Sequence, residues 1–510
     1  APLARRGALM VAGAALAVTL GAWSALRGLE ARPVRLAIER HAPASRLVIS
    51  TLRRWSDRDG DGFSAWYGGG DCDDADPRRS PAADDVPGNG VDEDCSGEDA
   101  RPIESAAPAA TPLSEREWIA RKLPKDANVV LITVDTLRYD LGFMGNERPV
   151  SPVLDQLAAR STVFERSYAL ASYTGKSMGP MLIGKYPSET HRDFAHFNRF
   201  GQEDTFVQER LSRAGVHTAS VQGHWYFFLE SYGLGRGFDV VDKRAAPRVY
   251  QAEGDRSVNS KELSDAAIEL LESEVMKQRR FFLWLHYLDP HAEYVAHDGF
   301  DFGRDARARY DGEVAFVDHH VGRVLDALEK SGFSARTAVI VTSDHGEAFG
   351  EHGMIRHGRE LWEELVRVPL IVHVPGAEPR RVKERRSLVD LVPTLLELFR
   401  LPAPSGNGSD FVSGQSLLAD VLGPPGHVPQ PRPVFVDMSA GPHNAERQAL
   451  IENDLKLVAQ NGRPLGLYDL ASDPGEKHDL LDDTERADAM LERFKAFRQS
   501  LRLVNVKPTP

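Results

Sequence analysis

The chain has 510 residues, roughly three to four times a modal domain, so one large unit with smaller attachments is expected. Hydrophobic residues at 42% and charged residues at 27% lie near globular averages, which excludes a wholly disordered, collagenous or polytopic membrane chain. The net charge of −13 is concentrated between Asp57 and Asp99, where fourteen acids face three arginines; the remainder is nearly neutral, has no basic groove, and argues against a nucleic-acid partner.

Residues Gly7 to Leu26 form a run of twenty uncharged positions, roughly 30 Å as a helix and about one bilayer core thick. Arg5 and Arg6 precede it and favour export of the downstream chain, although Arg27, Arg32 and Arg35 weaken that asymmetry. The expectation is a transmembrane anchor over 1–31, with a cleaved signal peptide as the alternative. The opening at Ala1 also fits the last span of a longer chain. The chain would then be membrane-anchored, with its catalytic part periplasmic or extracellular.

After a connector over 32–54, the composition turns Gly/Asp-rich over 55–99, and such a stretch folds only if something neutralises its carboxylates. Asp57, Asp59 and Asp61 with Gly62 reproduce the first half of a calcium loop, D-x-D-x-D-G. Gly68 stands where the twelfth-position Glu belongs, so further oxygens are expected from Asp71, Asp73, Asp76, Asp92 and Asp94. The only two cysteines, Cys72 and Cys95, lie in the same segment and read as one disulfide in an oxidising compartment, or as two free thiols. The pattern "DxDGDG…DCDD" resembles the Asp/Cys-rich metal-binding module of bacterial surface proteins, which implies Ca²⁺ held around a disulfide. A solvated acidic linker is the alternative.

A linker rich in Ala, Pro and Ser covers 100–126. From Asn128 onward, strands alternate with helices. "NVVLITVD", "RRFFLWLHYLD" and "TAVIVTSD" are apolar runs of the kind buried in a parallel sheet, with amphipathic helices expected over Asn259–Lys277 and Tyr310–Glu329. This predicts an α/β fold, a doubly wound sheet over 127–400 and a smaller α+β subdomain with tail over 401–510. Ligands bind beyond the carboxyl ends of such strands. Asp135, Asp289 with His291, and Asp344 with His345 stand at those ends; each acid alone could equally be a helix cap.

Nine successive segments, among them "VLITVDTLRYD", "LIGKYPSETH", "FFLWLHYLDPHAEY", "VTSDHGEAFGEHG" and "LYDLASDPGEKHDL", resemble the sulfatase branch of the alkaline phosphatase superfamily over about Asn128 to Leu481. The resemblance implies a metal-dependent hydrolase or transferase of phospho- or sulfo-esters. Its nucleophile stands ten residues before the glycine of a G-[RK]-Y-P element, which points to Thr174, with Ser172 and Ser177 as alternatives. Asp135, Asp344 and His345 would complete a metal shell with Thr174. His345 replaces an amide of the calcium-dependent members and Thr136 replaces a second acid, and an imidazole ligand favours Zn²⁺ or Mn²⁺ over Ca²⁺ or Mg²⁺.

Sulfatases convert a Cys or Ser in C/S-x-P-x-R to formylglycine. Threonine cannot, and Lys176 and Met178 stand where the proline and arginine fall. The chain therefore resembles the threonine-using phosphodiesterases and phosphoethanolamine or phosphoglycerol transferases of the superfamily, and phosphate esters are expected ahead of sulfate esters. Lys176 is expected to supply the cation that Met178 cannot. His291 or His357 is expected to protonate the leaving oxygen, or else to hold a second metal with Asp289 or His352; Glu347 and Glu351 are candidates for orienting the histidines. The ester would belong to a lipid or glycan head group. A catalytically dead member serving as a calcium-binding surface scaffold is the competing reading.

Overall fold

The computed structural model describes residues 43–506 apart from 84, 87, 100–112, 225, 247–258, 292 and 405–407. The anchor expected over Gly7–Leu26 lies outside these residues; among the described residues no helix is long and apolar enough to cross a membrane. The chain separates into two compact units. One comprises the chain to Ser105 with Ala459–Gly466 and Leu480–Ser500; the other comprises Ala106–Val458, Leu467–Asp479 and Leu501–Pro510. The stretch 401–510 is thus divided between the two.

The larger unit is built on a mixed sheet. Its strands are β1 (Asn128–Val134), β2 (Thr162–Tyr168), β3 (His217–Gln222), β4 (Val240–Asp242), β5 (Phe281–Tyr287), β6 (Thr337–Thr342), β9 (Arg367–His373), β10 (Arg380–Val382) and β11 (Arg386–Ser387), while β7 (Ala348–Phe349) and β8 (Ile355–Arg356) pair with each other outside it. The sheet runs in the order β10-β2-β9-β6-β1-β5-β3-β4, with β11 also on β2. Every residue of β1, β5 and β6 is buried, because helices cover both faces and the side chains of either alternation must be accommodated in a core. These are the three apolar runs of the sequence, and they are adjacent and parallel: Val130 pairs with Leu283 on one side and Val339 on the other. Their carboxyl ends therefore lie side by side. β9 departs from a purely parallel expectation, running antiparallel to both β6 and β2.

Helices Ala306–Lys330, Ser260–Glu272 and Pro152–Ala158 contribute to one apolar core together with the sheet, through residues such as Leu154, Leu263, Val317, Val321 and Val324. Asp305 begins the longest of them by accepting a bond from Ala308 N at 2.9 Å. Further strands, β12 (Val434–Met438), β13 (Arg447–Glu452), β14 (Leu455–Gln460) and β15 (Arg463–Asp469), form a second sheet in that order. Val434, Val436, Met438, Ala449 and Ile451 of this sheet share a second core with Tyr168, Leu365 and Val366.

The smaller unit carries the acidic segment, closed by a disulfide between Cys72 and Cys95. Helix Pro43–Ser56 precedes it and helix Thr484–Gln499 belongs to the same unit.

Candidate functional site

The strand ends deliver the site. Asp135 directly follows β1 and its amide donates to Tyr287 O at 2.9 Å, locking the ends of β1 and β5 together. Asp344 and His345 follow β6, and Ser343 fixes that end by donating to Val134 O at 2.6 Å. Thr174 opens helix Thr174–Ile183, whose N-terminus carries the positive end of the peptide dipoles. All four side chains are buried. Thr174 Oγ1 donates to Asp135 Oδ2 at 3.4 Å and lies 2.9 Å from His345 Nε2, which is itself 3.6 Å from Asp135 Oδ1 and 3.5 Å from Asp344 Oδ2. The four residues expected as a metal shell are therefore brought together.

Both carboxylate oxygens of Asp344 and Oδ1 of Asp135 are buried with no hydrogen-bond partner. A buried carboxylate without donors is costly, and a cation is the group that satisfies several such oxygens at once. One hydroxyl, two carboxylates and an imidazole within reach of a common point fit a divalent ion.

Two further histidines, outside the sequence expectation, belong to the site. His224 Nε2 bonds Asp135 Oδ2 at 2.8 Å, and His286 Nε2 lies 3.7 Å from the same oxygen. His286 is oriented by Thr133 Oγ1, 2.7 Å from its Nδ1, and Trp284 Nε1 donates to that hydroxyl at 2.9 Å. His224 stands just past β3, at the same sheet edge as the other ligands, so strand-end logic reaches it. Gly223 makes its turn possible: a Cβ there would meet Leu288 Cβ and Asn259 Nδ2 at 2.9 Å. His286 lies inside β5, a strand buried on both faces, where alternation carries no signal.

Burial opposes ionisation of Asp135, but the bonds from His224 and His286 and the charges of His291 and His345 outweigh it, holding the carboxyl well below the ordinary aspartate value. For Asp344, burial and then the charge of Asp135 push the other way, and its carboxyl is raised.

His291 and His357 flank this group. The His357 ring lies 4.4 Å from that of His345 and 5.1 Å from that of His291. Glu347 orients His357, with Oε1 3.1 Å from Nδ1, and receives the Tyr294 hydroxyl on Oε2 at 2.9 Å. Burial disfavours the imidazolium, but the charge and hydrogen bond of Glu347 win and His357 is raised; burial dominates at His291, which falls to about 4. Glu351 pairs with Arg138 at 2.9 Å instead of with a histidine.

Other expectations meet different partners. Lys176 does not turn toward the Asp135 group: its ammonium donates to Ser439 O at 2.8 Å and Ala440 O at 3.3 Å, because two residues along a helix point to different faces. Ser177 donates to Asp344 O at 2.7 Å and Ser172 to Met438 Sδ at 3.5 Å. Asp289 accepts from Ser260 Oγ at 2.6 Å and Asn259 N at 3.1 Å, a capping role at helix Ser260–Glu272. The His352 ring is stacked on Trp362 at 3.9 Å.

In the acidic module, Asp57 accepts from Gly60 N and Gly62 N at 2.7 and 3.0 Å, and Asp57, Asp59 and Asp61 present oxygens within 4.8 Å of one another. Oδ2 of Asp59, Asp61, Asp71 and Asp74 are buried with no hydrogen-bond partner. Burial, with added repulsion from Asp61, Asp59 and Asp74, pushes Asp71 up to about 6. Asp74, absent from the expected set, thus belongs to this group, whereas Asp73 and Asp76 are turned to Arg79 and Arg78, at 2.9 and 2.8 Å. Asp92 and Asp94 converge with Asp85 as a second group.

Comparison with known proteins agrees with this architecture. The sulfatase family model matches residues 127–401, just over half of the chain, and a model for a metal-binding motif, Cu-binding MopE, matches residues 71–100. The uncharacterized sulfatase YidJ of Escherichia coli (strain K12) is 34% identical over 182 residues, 34% of this chain and 33% of that protein. N-acetylgalactosamine-6-sulfatase of Rattus norvegicus is 26% identical over 63% of this chain and 70% of its own length, and iduronate 2-sulfatase of Homo sapiens 25% over 60% and 70%. The chain thus spans a third of YidJ and about two thirds of these mammalian relatives. Among solved structures, Ps i-CgsB with k-i-k-neocarrahexaose superposes with a TM-score of 0.60 at 22% identity, covering 73% of this chain and 93% of that one. The phosphonate monoester hydrolase of Agrobacterium radiobacter gives 0.59 at 20%, covering 73% and 95%. These likenesses establish the fold.

Proposed function

The chain belongs to the sulfatase family of metal-dependent ester hydrolases, and on that premise we propose that it cleaves or transfers phosphate esters, with sulfate esters second, using Thr174 as nucleophile. The observation that carries this reading is the convergence of Thr174 Oγ1 on Asp135 and His345, at 3.4 and 2.9 Å, beside the orphaned oxygens of Asp344. Asp135, Thr174, Asp344 and His345 would hold the cation; the imidazole favours Zn²⁺ or Mn²⁺ there, and the all-oxygen acidic module favours Ca²⁺. Bound there, the ion would lower the pKa of the Thr174 hydroxyl and offset charge on the ester oxygens.

The chain's own groups account for the remaining needs. Thr174 Oγ1, giving up its proton to Asp135 Oδ2, attacks the phosphorus in line, forming the Thr174 O–P bond as the bond to the leaving oxygen breaks. The N-terminus of helix Thr174–Ile183 favours the anionic group. His357, aimed by Glu347, gives the leaving oxygen its proton. Water in a hydrolase, or a second alcohol in a transferase, then attacks the phosphorus; the Thr174 O–P bond breaks, Thr174 regains its proton from Asp135, and His357 takes the proton of the incoming oxygen. Threonine at this position cannot become formylglycine, which supports phosphate over sulfate.

The sulfated-sugar substrates named for the relatives support a glycan head group, and residues 7–26 support a membrane-anchored, exported enzyme. Turnover of aryl phosphate mono- and diesters and an aryl sulfate, with chelator and Thr174→Ala controls, tests the reading. Thr174→Ala is expected to lower kcat by roughly 10³-fold or more. Equal turnover by Thr174→Ala, or faster turnover of sulfate than of either phosphate, overturns it.

A further inference from the structure

A second candidate for a metal lies away from Asp135, where the turn Glu351–Gly353 faces helix Glu363–Val366. Glu364 is 7% exposed, and its Oε1 is buried with no hydrogen-bond partner. His352 Nε2 stands 4.0 Å from that oxygen. His352 is held for this approach in two ways: its backbone takes the left-handed conformation at φ 53°, unfavourable for a residue with a side chain, and its ring lies flat on Trp362 at 3.9 Å and 8°. Glu476, 2% exposed, completes a trio whose ligand atoms all lie within 4.8 Å of one another.

The trio sits among other buried carboxylates. Glu363, Glu364 and Glu476 are all buried, and Lys456 is the ammonium that meets them, 3.0 Å from Glu363 Oε1 and 2.8 Å from Glu476 Oε1. Glu476 Oε2 also accepts from Glu363 N at 2.6 Å, and Glu363 Oε2 from the Tyr168 hydroxyl at 3.1 Å. Lys456 thus pairs with Glu363 and Glu476, whereas Glu364 makes no ion pair with a lysine or arginine among the described residues and keeps its Oε1 unsatisfied. A divalent ion is a group that would offset the buried carboxylates of Glu364 and Glu476 together.

We propose that His352, Glu364 and Glu476 hold a divalent transition-metal ion, with solvent completing its shell. One nitrogen and two carboxylates suit Zn²⁺ and its spectroscopic substitute Co²⁺; in a tetrahedral shell two ligands at ~2.1 Å stand about 3.4 Å apart, so His352 Nε2 and Glu364 Oε1, now at 4.0 Å, would draw slightly closer around the ion. The ion would have a structural part to play: Glu364 O and Leu365 O accept the amides of Glu347 and Gly346, so it would tie the Glu351–Gly353 turn to the backbone that holds the residues just after His345.

Equilibrium dialysis of the full chain against buffered Co²⁺, with Co²⁺ counted per chain and its visible absorption recorded, tests this. Glu364→Gln and His352→Ala are each expected to lose one equivalent and the absorption of an ion with one imidazole ligand, while near-UV circular dichroism is unchanged. Asp344→Asn should lose a different equivalent, so the double variant Glu364→Gln/Asp344→Asn loses two. Should Glu364→Gln fold poorly, His352→Ala decides, since its ring lies at the rim. Undiminished Co²⁺ binding in His352→Ala overturns the proposal, whereas failure of the catalytic reading would appear as undiminished binding in Asp344→Asn.

Discussion

Glu347 is fully buried and spends both oxygens on orientation, one on His357 Nδ1 and one on the Tyr294 hydroxyl. If its work is to aim a proton donor, replacing the carboxylate by an amide should hurt most where the leaving oxygen needs the proton most. Glu347→Gln is expected to lower kcat about 10- to 100-fold with little change in KM, and the loss should be greater for an alkyl ester than for a nitrophenyl ester. An equal loss on both would mark Glu347 as merely structural. The same side chains show where the sequence is informative and where it is not. Asp135, Asp344 and His345 can be read because each ends a buried strand, and position alone commits such a residue to the sheet edge. Lys176 departs from expectation because proximity in sequence is not proximity in space: Thr174 and Lys176 are two apart on one helix and diverge. His224 is within reach of the strand-end argument, but His286 is not, since a polar residue inside a strand buried on both faces looks like any other core position.

At the scale of elements, three strands and the long helix are legible because burial on both faces forces continuous apolar runs, and amphipathic periodicity marks the helix. The direction of β9 is not, because "RVPLIVH" would look the same in either orientation. Nor is the work of Asp318, which reads as a polar position on an amphipathic helix. In the fold it is 1% exposed and accepts the amides of Val153 and Leu154, both at 2.8 Å, at the start of helix Pro152–Ala158. Burial raises its carboxyl to about 7 against the pull of those two bonds. Because the folded value lies above the unfolded one, the folded state holds an extra proton between about pH 4 and pH 7. The stability this confers is complete at low pH and is lost as pH rises through 7, at no more than about 1.4 kcal/mol per pH unit. Asp318→Asn keeps an acceptor and removes the titration. The difference in unfolding free energy between wild type and variant, followed from pH 5 to pH 8 by denaturant titration, should shift in favour of the variant up to about pH 7 and level off above it. A flat difference would mean that the two amides already hold the carboxylate ionised.

The whole molecule joins two kinds of stability. In the larger unit, strands and helices bury continuous apolar cores, whereas the acidic segment has few core formers and a surplus of carboxylates. Its disulfide limits the unfolded chain but neutralises nothing. The folded form of 57–99 should therefore depend on cations more strongly than the larger unit does, and binding free energy becomes folding free energy there. At a hundredfold excess of Ca²⁺ over its Kd, a single site contributes about 2.7 kcal/mol. Limited proteolysis followed by mass spectrometry should show cleavage within 57–99 rising tenfold or more when a calcium-selective chelator is added. Asp71→Asn, which removes a buried charge from the Asp59, Asp61 and Asp74 group, should bind Ca²⁺ more weakly and need more of it for protection. Protection that ignores Ca²⁺ altogether would leave the disulfide as the main constraint and return the segment to the status of an acidic linker.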